Sequence, residues 1–455
     1  MRLVAVCALV GLLLGGGARA QDAEPPPERW TVLHCGALLA LPGKAPLRNT
    51  TVVVKRGRID AVLNGLVDPA TLPGVEGVEV ERVDLSEYFV LPGLIDAHTH
   101  VTAEYAPESR LRQLQQSDAH AALQALPYAK RTLEAGFTTV RSLGSRGDAA
   151  FALRDAIAGG IVPGPRILVA GEAITPTGGH SDHTLGFRAD LFALPGIMQG
   201  IADGPDACRR ATRAQVKRGA DVVKLTATGG VLSPTAAGTE QQFFADELEA
   251  IVETAHMLGR KVAAHAHGTR GINAALRAGV DSIEHGTFLD DESIELFIES
   301  GAYLVPTILA GETVAERGRL TGYYPPEVAE KALQVGPTIR LAFAHAHRGG
   351  VRIAFGTDSG VSRHGENARE FGYMVGAGMS EMDAIVAATR NAADLLGLAN
   401  EIGTVERGKA ADLIATEGNP LVDIGAMQHV VFVMREGVIY KQSALRRAHT
   451  GEPAS

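Results

Sequence analysis

The chain has 455 residues, 45% of them hydrophobic and 21% charged, with a formal net charge of −9. That length suits a large domain with a smaller companion, and the composition is that of a globular protein. The acidity, with no dense Lys/Arg stripe to offset it, excludes nucleic acid as a partner and favours metal ions and small substrates.

Residues 1–20 read as a signal peptide. Arg2 supplies the positive start, Val4 to Leu14 form an apolar core too short for a stable membrane anchor, and Ala18-Arg19-Ala20 matches a small-x-small cleavage site. Cleavage removes Arg2 and Arg19 and takes the charge from −9 to −11. A periplasmic or secreted location follows. Cys7 leaves with the leader, while Cys35 and Cys208 remain, far apart in sequence. They are expected to be buried, unpaired thiols. No cysteine cluster supports thiolate metal binding.

Residues 21–90 read as short strands and turns. Examples are Thr31–Cys35 and Thr51–Val54, the latter followed by the turn Lys55-Arg56-Gly57-Arg58. The same texture returns over 403–455, with Asp412–Ala415 and His429–Val433. The two chain ends therefore predict one small β-sandwich domain. Residues 91–402 alternate β-branched runs with helical stretches such as Ala245–Leu258 and Asp383–Leu396. The runs are Leu94–Asp96, Thr138–Val140, Ile167–Val169, Val222–Lys224, Val262–Ala264, Ser282–Glu284, Leu304–Pro306 and Ile353–Phe355. Eight such units predict an α/β fold, a (β/α)8 TIM barrel. An open doubly wound sheet is the alternative, weakened by the lack of a glycine-rich dinucleotide fingerprint after the first strand.

Metal-capable residues cluster at the C-terminal ends of these strands, where such barrels build active sites. His98 and His100 alternate along the first strand and so face inward together. Lys224 ends strand four. An inward ammonium would repel cations, but reaction with carbon dioxide gives a carbamate that can bridge two of them; a plain lysine paired with a carboxylate is the alternative. His265 and His267 follow on strand five, His285 on strand six and Asp358 on strand eight. Neutral imidazoles and carboxylates suit a borderline ion such as zinc. His345 and His347, on the helix before strand eight, and the helical His120 and His256 are expected to be structural.

The segments VLPGLIDAHTHV, DVVKLTATGGV, AAHAHG, SIEHGT, FGTDSG and IGTVERGKAADLIA resemble the amidohydrolase superfamily over nearly the whole chain after the leader. The similarity is to the imidazolonepropionase-like and prolidase-like branch, which includes binuclear carboxypeptidase-type and ochratoxin-hydrolysing enzymes. Val162–Arg166 and Gly178-Gly179-His180 fit it too. True imidazolonepropionases lack the strand-four lysine, so Lys224 argues against that activity. The family often has Arg-Asp after strand two, whereas Arg141 is followed here by Ser142. The resemblance implies a first metal on His98, His100 and Asp358, and a second on His265 and His285. A carboxylated Lys224 would bridge them. His180 and His267 become candidates for substrate contact.

On that basis a water between two divalent ions loses a proton near neutral pH and attacks an amide carbonyl. His180 or His267 helps to polarise the carbonyl. Asp358 carries the proton to the leaving nitrogen. The implied substrate is a dipeptide, an N-acyl amino acid or a related amide, with ochratoxin A among the candidates. Arg141, Arg146, Arg363 and His364 lie on loops that could meet its carboxylate, although each reads first as an ordinary surface residue. A homo-oligomer is expected. Lactone or phosphotriester hydrolysis at the same site is the first alternative. A non-catalytic binding protein on the barrel is the second, and it would be expected to have lost a ligand or the strand-eight aspartate.

Overall fold

A computed structural model describes residues 29–443 apart from 189, 236 and 237. The expected leader, 1–20, lies outside the described residues, as do 21–28 and 444–455 of the expected small domain.

The chain opens with β1 (Arg29–Leu38), β2 (Leu47–Lys55), β3 (Arg58–Asn64) and the long β4 (Glu79–Pro92). Valines 52–54 are β-branched and suit the pleated sheet. Lys55 pairs with Arg58, and the two residues between them, Arg56 and Gly57, both have positive φ (49° and 77°). This is the hairpin geometry whose twist matches the flanking strands. Eight strands follow in the middle of the chain: β5 (Leu94–Thr99), β6 (Phe137–Ser142), β7 (Arg166–Val169), β8 (Val222–Thr226), β9 (Lys261–Ala266), β10 (Ser282–His285), β11 (Tyr303–Val305) and β12 (Arg352–Ile353). Each overlaps one of the eight runs read from the sequence. The chain closes with β13 (Leu413–Thr416), β14 (Val430–Arg435) and β15 (Val438–Gln442).

The end strands join in one seven-stranded sheet, ordered β15-β14-β13-β4-β1-β2-β3. Among the described residues the two chain ends thus meet in one hydrogen-bonded sheet. Strand β4 is its hinge, paired with β1 on one side and with β13 on the other. Only Gly93 separates β4 from β5. A Cβ there would stand 2.2 Å from the Thr138 hydroxyl oxygen, so no larger residue fits this junction.

The middle strands form a parallel set of five, β12-β11-β10-β9-β8, and a set of three, β5-β6-β7. Backbone bonds cross both seams. At one, Ile174 N donates to Lys224 O (2.8 Å) and Thr226 N to Ile174 O (2.9 Å). At the other, Ala97 N donates to Phe355 O (2.8 Å) and His100 N to Ser359 O (2.7 Å). The arrangement is TIM-barrel-like, with helices such as Pro205–Lys217, Ala245–Met257 and Thr269–Ala278 between strands. Outward residues Val223, Leu225, Val262 and Ala264 share one apolar core with Leu248, Ile251 and Ile272 of these helices. Alternation then sends Lys224 and His265 to the opposite face, into the barrel. Among the described residues no helix is long and apolar enough to cross a membrane. Cys35 and Cys208 are both buried and free, and burial pushes each thiol up to about 12.

Candidate metal centre

The strand ends bring His98, His100, His180, Lys224, His265, His267, His285 and Asp358 around one cavity of about 210 Å³. The imidazoles crowd each other: ring centroids are 5.1 Å apart for His98 and His285, 4.7 Å for His265 and His285, and 4.2 Å for His180 and His265. Burial, ahead of the neighbouring charges, pushes His98 down to about 4 and His180 and His267 to about 3. Burial thus favours the neutral form of these three rings, the form that ligates metals, whereas Asp358 raises His100.

Outer partners orient most of the rings. His98 Nδ1 lies 2.8 Å from Glu284 Oε2, and His100 Nδ1 3.0 Å from Gly144 O. His267 Nδ1 lies 2.7 Å from the Thr287 hydroxyl, and His285 Nδ1 2.7 Å from that of Thr307. With Nδ1 engaged, Nε2 of these rings is left for the cavity, as ligand histidines require. His265 instead has Nε2 3.3 Å from Gly229 O, which leaves its Nδ1. Gly230 permits the approach of His180, since a Cβ there would stand 2.2 Å from its ring.

Two observations test whether a cation fits. Asp358 Oδ1 stands 3.2 Å from His100 Nε2 and 3.5 Å from His98 Nε2 without an aligned hydrogen bond to either. Lys224 Nζ is buried and has no hydrogen-bond partner among the described residues. Converging donors that do not bond to each other are suited to a shared cation, because buried polar groups otherwise find partners. Ligand atoms of His98, His285 and Asp358, and separately of His265, His267 and His285, lie within 4.8 Å of one another. These groupings add His267 to the second set and place His285 in both. His285 and Asp358 also have left-handed backbones (φ 74° and 56°), a strain of about 1–3 kcal/mol each that clusters at functional sites.

The cavity has two characters. Val231, Leu232, Val314, Val335, Ile339 and Val361 form an apolar wall, with Val314 on helix Ile308–Gly318 and Val335 and Ile339 on helix Pro326–Arg348. On the other side it shares His100, Leu143, His180 and Ser181 with a polar cleft of about 440 Å³ that contains Arg146, Glu172 and His183.

The four proposed carboxylate contacts fare differently. Arg146 lines the polar cleft and is exposed. Arg141 is corrected: it is 1% exposed, and its guanidinium is spent on Ala97 O, Ser282 and Glu284. His364 is also corrected, because it stacks on Tyr128 and its Nε2 lies 2.9 Å from Ala103 O. Arg363 lines a separate surface hollow with Arg131 and Lys441. His120, His256 and His345 have local partners, Ser117, Asp281 and Asp291.

Sequence reasoning missed Glu284, which is fully buried and bonded to His98. Its signal was the Glu-His pair within SIEHGT, but strict alternation places neighbours on opposite faces. The positive φ at His285 breaks that rule and lets both side chains meet His98.

The amidohydrolase family model matches residues 89–441. The ochratoxinase of Aspergillus niger is 33% identical over 433 residues, covering 90% of this chain and 86% of that protein. A solved Xaa-Pro dipeptidase with bound methionine in its active site is 42% identical with a TM-score of 0.85, covering 90% of this chain and all of that one. A prolidase complexed with N-methylphosphonate-L-proline is 33% identical with a TM-score of 0.81, covering 91% and 100%. With strand-end donors in place and likeness along most of its length, the chain belongs to the amidohydrolase family, in its prolidase- and ochratoxinase-like branch.

Proposed function

We propose that this protein is an exported, binuclear metal-dependent hydrolase that cleaves the amide bond of a dipeptide, an N-acyl amino acid or a related amide such as ochratoxin A. The reading takes 91–402 as a closed (β/α)8 barrel, supported by the two parallel strand sets and the backbone bonds across their seams. It also takes 21–90 and 403–455 as one small β-sandwich domain, a reading supported within the described strands by the packing of Leu33, Val52 and Val83 against Leu413, Phe432 and Met434.

The observation that carries the proposal is the convergence of Asp358, the histidines and an unpartnered Lys224 on one cavity. His98, His100 and Asp358 would hold one cation and His265 and His285 the other, with Lys224 bridging as its N6-carboxylate. When bound, two divalent ions, zinc by the donor set, supply Lewis acidity and an acidified water. Asp358 takes a proton from the attacking water and delivers it to the leaving nitrogen, without which an amide nitrogen departs poorly. His180 and His267 border the same cavity and would donate to the carbonyl oxygen as it gains charge. The apolar wall accepts an apolar side chain of the substrate, and Arg146 in the adjoining cleft meets its carboxylate.

The test is metal content and turnover on one preparation, against a panel of dipeptides, N-acyl amino acids, lactones and phosphotriesters. About two metals per chain with preference for amides is expected. Equal rates on lactones, or full activity after metal removal, would overturn the reading. Export is tested by intact mass: protein recovered outside the cytoplasm should begin near Gln21, and a retained Met1 would contradict a cleaved leader.

A further inference from the structure

Arg141 and Glu284 form an ion pair in the barrel interior, with side chains 2% and 0% exposed. Removing two charges from water costs several kcal/mol per ion, and apolar residues of similar volume often serve stability as well or better. The pair is therefore poorly explained as a stabiliser of the fold alone.

Its bonds point elsewhere. Arg141 donates from Nε to Ala97 O (2.5 Å), from Nη2 to Glu284 Oε1 (2.9 Å) and to the Ser282 hydroxyl (3.2 Å from Nη1). Ser282 Oγ donates to the same Glu284 oxygen (2.6 Å). With Oε1 held twice, Oε2 is left for His98 Nδ1 at 2.8 Å. An ionised carboxylate only accepts, so His98 donates from Nδ1 and turns its Nε2 lone pair to the cavity. Ala97 and His98 are neighbours on β5, so Arg141 also braces the strand that carries the ligand.

We propose that Arg141 and Glu284 are positioning residues that fix the tautomer and aim of His98 for metal binding, a role that rests on the metal-centre reading above. A carboxylate behind a ligand histidine raises its basicity, and its loss typically costs about 10- to 100-fold in metal affinity.

Zinc(II) affinity is measured by competition with a chromophoric chelator on the full-length metal-free protein, with cobalt(II) spectra in parallel. Glu284→Gln keeps shape but can turn an amide N–H toward His98. It should weaken metal binding about 10- to 100-fold and change the cobalt d–d bands. The double variant Arg141→Met/Glu284→Leu leaves no unpaired buried charge; its folded fraction should show the same loss of affinity. His98→Asn is the control. If it loses metal while Glu284→Gln stays within about twofold of wild type, the positioning role is overturned and the metal centre stands. If neither loses metal, the metal-centre reading fails and this inference with it. Nitrogen-15 shifts of the histidines in metal-free wild-type protein do not depend on any variant folding in full. His98 should carry its proton on Nδ1, and an Nε2–H tautomer would overturn the proposal.

Discussion

The seven-stranded sheet and β10 obey opposite rules. In β2, the segment Thr50–Val54 is buried and wholly β-branched, and its neighbours supply valines and leucines. Any one of these residues packs against several others, so the stability is spread. In β10 all four residues are buried and only Ile283 is apolar. Ser282, Glu284 and His285 each depend on a specific partner: Arg141, His98 and Thr307. A polar interior tolerates few changes because an orphaned buried group costs its full desolvation. The sheet spreads its energy over shape, whereas the barrel mouth concentrates it in orientation.

The largest effect that would sharpen this contrast is at Lys224. Lys224→Ala should lose metal and nearly all turnover, with partial rescue by a short carboxylic acid. Zinc should raise the melting temperature of wild type, by mass action, and not that of the variant. Unchanged metal content would remove the bridging role.

Asp358→Asn comes next. It keeps size and shape but accepts protons poorly, so turnover should fall by about 100-fold or more, the scale of a lost general acid–base group. Metal content and inhibitor affinity, read on the same preparation, should change far less. Near-native turnover with full metal would break the assignment.

Leu33→Ala probes the other region. Leu33 is 0% exposed in the core of the end-strand sheet, so truncation should cost about 2–5 kcal/mol in denaturant unfolding. Turnover per bound metal should be unaltered in the folded fraction. A loss of metal affinity comparable to that of Lys224→Ala would show that sheet and mouth are not separable.

The smallest effect is expected at His345, whose ring is 40% exposed and 3.1 Å from Asp291 on the outer helix layer. His345→Gln should change stability by less than about 0.5 kcal/mol and leave turnover as it was. A tenfold fall in activity would mean that the outer layer couples to the site.

The sequence by itself determined the eight middle strands, the hairpin at Lys55–Arg58 and the group of strand-end donors from His98 to Asp358. The reason is local: strand periodicity and turn chemistry are written in adjacent residues, and a strand-end donor in a TIM-barrel-like fold has only one mouth to face. Tertiary structure alone decided how the end strands join, which helices supply the apolar wall, and what Arg141 does. A lone arginine at a strand end reads as a surface residue, or at most as a loop contact for substrate. Its burial depends on a carboxylate 143 positions further along the chain. Glu284 stayed hidden for a related reason, because only a left-handed backbone at His285 (φ 74°), held in place by Thr307, turns two neighbouring side chains toward one histidine. Alternation is a property of a strand, whereas the pairing of buried charges belongs to the assembled barrel.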